Sequence, residues 1–211
     1  SDITGNIGVS PISAAAMTGF GLIMDNSQLY STSTQITGKA YAPEYHLDTK
    51  TNLTLAVNNM TTAYENAKGR PNEDGARINI GAGYLGGEFV GGESNPLTTG
   101  VYTFQTDVHI ANDLYFGRDD GTDNSGDVFI IQMTGNLIQD EGVTVTLNGG
   151  ALAENIFWQV AEVVQVGVGA EMQGILLGFA LVEFKTGSSL VTGRVLSQKA
   201  CTLDQATITA P

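Results

Sequence analysis

An internal repeat in the second half of the chain restricts the fold more than any other feature of the sequence. From residue 155 onward, short β-prone segments return with a period of about 18–20 residues. The equivalent segments form two series: 157–160, 175–178 and 194–197, and 164–169, 182–187 and 201–206. This period is too short for a propeller blade or a helical repeat, but it suits one rung of a three-sided parallel β-solenoid.

The alternation of residues along these segments predicts which side chains face inward. A single rung cannot bury its inward side chains alone, so stacking of successive rungs must supply the core. The sequence predicts three inward columns: Trp158, Leu176 and Val195; Val166, Phe184 and Leu203; and Met172, Leu190 and Ile208. Further short strands are predicted before the repeat, at 101–105, 108–110, 128–133, 144–147 and 155–160.

One segment, at about 51–68, is predicted to be a long helix. Thr51 or Asn52 can cap its start, and Gly69 and Pro71 end it. Its apolar residues recur at helical spacing: Leu53, Ala56, Val57, Met60, Ala63, Tyr64 and Ala67. The first side of the solenoid leaves an apolar outer patch that needs a cover, formed by Phe157, Ile175, Leu177 and Leu196. We therefore expect the helix to pack along that side.

The N-terminal segment shares a Thr-Gly corner with the C-terminal repeat. This corner occurs at 3–6, at 35–39 and at 191–194. Residues 1–45 are therefore expected to supply rungs that stack on the end of the solenoid, while the helix and the glycine-rich stretch 72–99 carry the chain to the other end. The predicted fold is mainly β, a solenoid with one long helix alongside, and residues 1–211 form a single domain.

The composition excludes several classes of partner. The net charge is −13 with only nine Lys and Arg residues, so nucleic acid and anionic membrane surfaces are poor partners. No stretch approaches the ~20 apolar residues of a membrane helix. Cys201 is the only cysteine, which excludes a disulfide within the chain and a multi-cysteine zinc site. The chain starts at Ser1 without a leader, so we expect that a signal peptide has been removed.

Other polar groups give no clear site. The acidic run 118–127 could attract calcium, but its spacing does not match an EF-hand, and we interpret it as a solvated turn without a metal. The two histidines, His46 and His109, lie in no nucleophile motif, so no catalytic residue is predicted. Sequons at Asn52 and Asn59 permit glycosylation in a secreting eukaryote.

Seven ordered blocks of sequence carry a family resemblance. They lie at 5–11, 63–71, 96–102, 128–132, 147–151, 155–160 and 186–194. In this order they resemble the ice-binding-like domain of secreted antifreeze proteins from cold-adapted bacteria, snow-mould fungi, yeasts and sea-ice diatoms. The resemblance implies a discontinuous right-handed β-helix of triangular section, secretion, no cofactor, and adsorption to ice through one flat face. We further expect a monomer.

The resemblance also directs attention to threonines. In the family, the ice face often carries a four-residue motif: Thr, then Ala or Gly, then any residue, then Thr or Asn. The segment Thr186-Gly187-Ser188-Ser189 fits this motif, with Ser in place of the last Thr. The candidate ice face consists of Thr32, Thr34, Thr144, Thr186, Ser189, Thr207 and Thr209. Because Glu171 and Gln205 interrupt this face, we expect moderate activity, observable as thermal hysteresis and inhibition of ice recrystallisation.

Two other functions remain open from the sequence. Parallel β-helices often cleave polysaccharides with paired carboxylates, and Glu171, Glu183 and Asp204 lie on nearby rungs. No aromatic row that could hold sugars accompanies these three. A module that tethers a cell or a larger protein to a surface is the other alternative.

Overall fold

Parallel strands and one long helix make up the fold. A computed structural model describes residues 1–73 and 75–211. The helix is α1 (Leu47–Lys68), and short 3-10 turns lie at Ala14–Ala16, Gly75–Arg77, Ile80–Gly83 and Ala153–Asn155. The first strands are β1 (Asp2–Thr4), β2 (Ile7–Gly8), β3 (Ile23–Met24), β4 (Ser31–Ser33), β5 (Ile36–Tyr41) and β6 (Tyr84–Leu85). The middle strands are β7 (Gly100–Phe104), β8 (Val108–Ile110), β9 (Leu114–Phe116), β10 (Phe129–Met133), β11 (Leu137–Gln139), β12 (Val145–Leu147) and β13 (Ile156–Val160). The last strands are β14 (Val164–Val166), β15 (Glu171–Gly178), β16 (Leu181–Phe184), β17 (Ser189–Ser197), β18 (Ala200–Leu203) and β19 (Thr207–Thr209).

The strands stack in parallel on three sides. On the first side, β7, β10, β13 and the C-terminal halves of β15 and β17 follow one another. The second side stacks β6, β8, β11, β14, β16 and β18. The third side pairs β9 with β12, and continues through the N-terminal halves of β15 and β17 to β19, β1 and β5. The solenoid predicted from the repeat is confirmed.

The strand registers confirm the three predicted inward columns. Trp158 pairs with Leu176, which pairs with Val195. The other two columns follow the same rule, with Val166, Phe184 and Leu203 on the second side and Met172, Leu190 and Ile208 on the third. Trp158 is fully buried, and its indole N–H donates to the carbonyl of Gln173 at 2.9 Å. One continuous apolar core therefore runs along the stack.

The helix begins four residues earlier than the sequence predicts. His46 is the N-cap, and its imidazole Nδ1 accepts a hydrogen bond from the backbone N–H of Asp48. The prediction that Thr51 or Asn52 caps the helix is wrong, because the Thr51 hydroxyl instead donates to the carbonyl of Leu47, one turn back inside the helix. The predicted end is confirmed, with Gly69 as the C-cap.

The helix covers the first side, as its apolar stripe predicts. Tyr64 and Ala67 are buried against an outer patch made of Ile130, Ile175 and Leu177, with Phe157 and Leu196 at its margin. Both sequon residues, Asn52 and Asn59, lie on the exposed part of α1. Within the described residues, no helix is both long and apolar enough to cross a membrane.

The N-terminal segment completes the stack out of chain order. Strand β1 lies between β19 and β5 and is parallel to both, which confirms that residues 1–45 supply rungs at the C-terminal end. Strand β4 is different, because it pairs antiparallel with β5 and with β3. The prediction that Thr32 and Thr34 belong to a rung is therefore wrong: Thr32 lies on this antiparallel strand and Thr34 in the turn that follows it.

Candidate functional site

The helix covers the first side, so the second and third sides are the open surfaces of the solenoid. On the third side, the strand registers align one outward column across five successive strands. It consists of Thr144, Glu171, Ser189, Thr207 and Asp2. Three of the predicted site residues, Thr144, Ser189 and Thr207, are thus brought together in register.

A second, shorter outward column lies beside the first, on β19, β1 and β5. Thr209 pairs with Thr4, and the pairing of Ile3 with Ile36 brings Thr37 next to Thr4. Thr4 and Thr37 are exposed and were missed by the sequence analysis. The shared Thr-Gly corner could have found them, because it already aligned these two segments. We name Thr144, Ser189, Thr207, Thr209, Thr4 and Thr37 the threonine face.

The remaining predicted residues lie outside the threonine face. Thr186 is exposed in the corner between β16 and β17, and its hydroxyl donates to the carboxylate of Asp204. Thr32 and Thr34 are exposed on the N-terminal hairpin. The structure therefore places Thr186 at the edge between the second and third sides and does not bring it into either column.

The threonine face is held by a rigid layer underneath. The inward residues of the same strands are Met172, Leu190, Ile208, Ile3 and Ile36, none of them more than 9% exposed. Parallel strands lie about 4.7–4.9 Å apart, so the face repeats at that spacing along the stack. Two carboxylates break the uncharged surface, since Glu171 and Asp2 are both exposed within the first column.

The second side carries more charge. Its central outward column consists of Tyr84, His109, Ile138, Gln165, Glu183 and Thr202. His109 Nε2 lies 2.6 Å from Asp140 Oδ1, and the Lys185 ammonium lies 3.3 Å from the Glu183 carboxylate. The second side thus carries one ion pair and one His–Asp contact, whereas the threonine face holds hydroxyls and methyl groups.

Of the three carboxylates that suggested an enzyme, Glu183 and Asp204 line one surface depression and Glu171 lies apart from them. Glu171 projects from the third side, whereas Glu183 lies on the second side in an ion pair with Lys185. Asp204 accepts the hydrogen bond of Thr186. The acidic loop is organised by the buried Asn124, whose amide donates to the carbonyls of its own loop and of Gly149. In the described part of the chain, no three acidic, His or Cys residues are grouped so that they could hold a metal.

The fold and its open faces define a helix-backed parallel β-solenoid. The family model described as Ice-binding-like matches residues 1–209, and the chain belongs to this family. It is 42% identical over 212 residues to the ice-binding protein of Leucosporidium sp. (strain AY30), covering 100% of this chain and 75% of the relative. It is 40% identical over 211 residues to that of Flammulina populicola, covering 100% and 79%.

The solved structures agree with this assignment. A glycosylated ice-binding protein from an Arctic yeast, LeIBP, matches with a TM-score of 0.89 and 40% identity, over 100% of this chain and 84% of that one. A domain of ice-binding protein 1 from Shewanella frigidimarina matches with a TM-score of 0.80, over 99% of this chain and 90% of that one; its 22% identity shows the fold alone. These relatives are ice-binding proteins.

Proposed function

We propose that this protein adsorbs to ice crystals through the threonine face and is not an enzyme. The observation that carries the proposal is the register of Thr144, Ser189 and Thr207 in one outward column, beside a second column of Thr209, Thr4 and Thr37. The function itself is supported by membership of a family whose relatives bind ice.

A threonine offers ice two kinds of contact on one small side chain. Its hydroxyl both donates and accepts hydrogen bonds, and its methyl group orders neighbouring water. Each contact is weak, so adsorption needs many of them held at fixed spacing. The parallel strands supply that spacing, and the buried layer beneath limits movement of the backbone.

Glu171 limits the efficiency of this surface. It stands between Thr144 and Ser189 in the first column, where a carboxylate keeps its own hydration shell and interrupts the ordered water. Thr186 contributes at the edge of the face, and Thr32 and Thr34 lie beyond it on the N-terminal hairpin. We therefore propose moderate activity, with thermal hysteresis and inhibition of recrystallisation as its readouts.

Labelled protein on a single-crystal ice hemisphere tests both the function and the face. The wild type should coat defined planes of the hemisphere, and Thr207→Tyr should reduce coating and thermal hysteresis because a large ring lifts the flat surface off the lattice. Gln165→Tyr, on the second side, is the matched control and should leave both unchanged. Loss of adsorption in the Gln165 variant alone would reject the threonine face, and no coating by the wild type would reject ice binding.

We also propose that the protein is secreted and acts as a monomer, with residues 1–211 as one working unit. Support for secretion comes from the resemblance to secreted antifreeze proteins. Light scattering of the purified protein tests the monomeric state, and detection of the native protein in culture medium tests secretion.

A further inference from the structure

Three aromatic rings stand next to one another at the far end of the second side. Tyr84 lies on β6, Phe89 in the turn that follows, and His109 on the neighbouring strand β8. The ring centroids of Tyr84 and Phe89 are 6.0 Å apart, and those of Tyr84 and His109 are 5.4 Å apart. With interplanar angles of 38° and 31° at these distances, the rings overlap in an offset stack, and the parts of the rings that their neighbours leave uncovered form one continuous surface. We name these residues the aromatic row.

The aromatic row is not needed to complete the core. Tyr84 and Phe89 are each 47% exposed, while the neighbouring Leu85 is fully buried and pairs with Ile110. The inward residues of these strands thus fill the core, and the rings remain on the outer surface. A group of exposed rings on a strongly acidic surface is an apolar patch of the kind that marks a binding site.

Hydrogen-bonding groups flank the row on both sides. Asp140 Oδ1 lies 2.6 Å from His109 Nε2 on one flank. On the other flank, Asp107 Oδ1 accepts hydrogen bonds from the backbone and side-chain N–H groups of Asn136, at 2.7 Å and 3.0 Å. These contacts fix the positions of the carboxylates, and each carboxylate has lone pairs left to accept hydrogen bonds from a ligand.

This combination specifies the chemistry of the ligand. The exposed parts of the rings can pack against the C–H groups of a sugar, and fixed carboxylates accept hydrogen bonds from its hydroxyl groups. The carboxylates also repel anionic polymers, which excludes uronate-rich or sulfated glycans at a chain net charge of −13. Nucleic acid bases could stack on the rings, but their phosphates would find no cluster of basic side chains here. We propose that the aromatic row binds an uncharged polysaccharide.

The site binds the polymer without cleaving it. Of the three carboxylates considered for catalysis, Glu171 lies on the third side, and Glu183 and Asp204 lie on β16 and just after β18, at the opposite end of the second side. Near the row, Asp140 is engaged with His109, and Asp107 with Asn136. The proposed site is thus distinct from the threonine face and adds a second ligand to the proposed function.

Native gel electrophoresis in the presence of glycans tests this site. Wild-type protein should migrate more slowly in gels that contain hydroxyethylcellulose or laminarin, both uncharged, than in plain gels. Alginate, an anionic glycan, should not retard it. Phe89→Ala and Tyr84→Leu should each restore the mobility seen in plain gels. Phe179→Ala is the matched control, since Phe179 is 45% exposed but lies beside Tyr64 on the helix-covered side.

The outcomes separate this proposal from the proposed function. No retardation of the wild type by either uncharged glycan, or equal retardation of the wild type and both row variants, overturns the aromatic row as a glycan site. Loss of ice adsorption in Phe89→Ala with unchanged glycan retardation also overturns it, because the row would then belong to the ice surface. Thermal denaturation shows whether each variant is folded, and Phe89, in an exposed turn, can be replaced without disturbing a strand.

Discussion

The side-chain amide of Gln132 donates a hydrogen bond of 2.7 Å to the carbonyl oxygen of Ala67, the last buried residue of α1. The same amide nitrogen donates to the carbonyl of Arg70 at 2.8 Å, and the amide oxygen accepts from the hydroxyl of Thr103. Gln132 is only 6% exposed and projects from the centre of the first side. It therefore ties the end of the helix to the first side, adding a side-chain donor to the Ala67 carbonyl, which also accepts from the backbone N–H of Arg70 at 3.4 Å.

Replacing Gln132 by Leu should lower the free energy of unfolding by about 1–3 kcal/mol, since its two hydrogen bonds to the carbonyls of Ala67 and Arg70 are lost. Urea denaturation followed by circular dichroism measures the change. Gln165→Leu, at a half-exposed position on the second side, is the matched control and should shift stability little. Equal destabilisation by both substitutions would contradict the role given to Gln132 at the helix end.

Replacing Glu171 by Thr should raise thermal hysteresis, because the first column of the threonine face would then run without a charge from Thr144 through Ser189 to Thr207. Glu171 is exposed and occurs in no ion pair among the described residues, so stability should change by less than about 0.5 kcal/mol. Nanolitre osmometry at matched protein concentration measures the effect. Glu141→Thr, at an exposed corner, serves as control, and hysteresis that stays constant in Glu171→Thr would contradict this arrangement.

Cys201 should react slowly with alkylating reagents. It lies on β18, the last strand of the second side, in register with the buried Val182 of β16. The residue reaches solvent, but desolvation of its thiol raises the pKa to about 11 from the ordinary value of 9.0. At pH 8 the thiolate population should be about 100-fold smaller than for an ordinary cysteine. Alkylation by iodoacetamide, followed by mass spectrometry, should increase up to about pH 11. The unfolded protein is the control, and a midpoint near 9 in the folded protein would disprove the effect.

The acidic loop should lose local order in acid. The pKa of Asp120 lies below its ordinary 3.8, because the hydroxyl and the backbone N–H of Thr122 donate to its carboxylate. Because this pKa is lowered on folding, the stabilisation by the ionised Asp120 is complete at pH values above the pKa of the unfolded chain. It is lost as the pH falls through the pKa of the folded state. Amide chemical shifts of Thr122 and Ser125 should therefore change only below about pH 4. Asp120→Asn should remove the acid-induced shift of the Thr122 amide and leave that of the Ser125 amide, whose partner is Asp123. A shift of either amide at neutral pH would contradict this assignment.

The sequence contains most of what defines the core. The repeat fixed the partners of Trp158, Leu176 and Val195, because inward residues must alternate and successive rungs must stack. The sequence also matched the apolar stripe of the helix to the outward patch at Ile175 and Leu177, because each of these apolar surfaces is removed from water only by packing against the other. The start of the helix was misplaced, because His46 is an uncommon N-cap whose role depends on the orientation of its ring.

The positions of the surface residues needed the tertiary structure. By itself the sequence determined that inward and outward residues alternate, and so that Thr207 and Thr209 point outward. Only the folded chain showed that Thr4, from the other terminus, stands in one column with Thr209, and that Thr34 lies in a turn beyond the threonine face. The physical reason is that alternation is local, whereas the pairing of β1 between β19 and β5 is decided by burial of a shared core across the length of the chain.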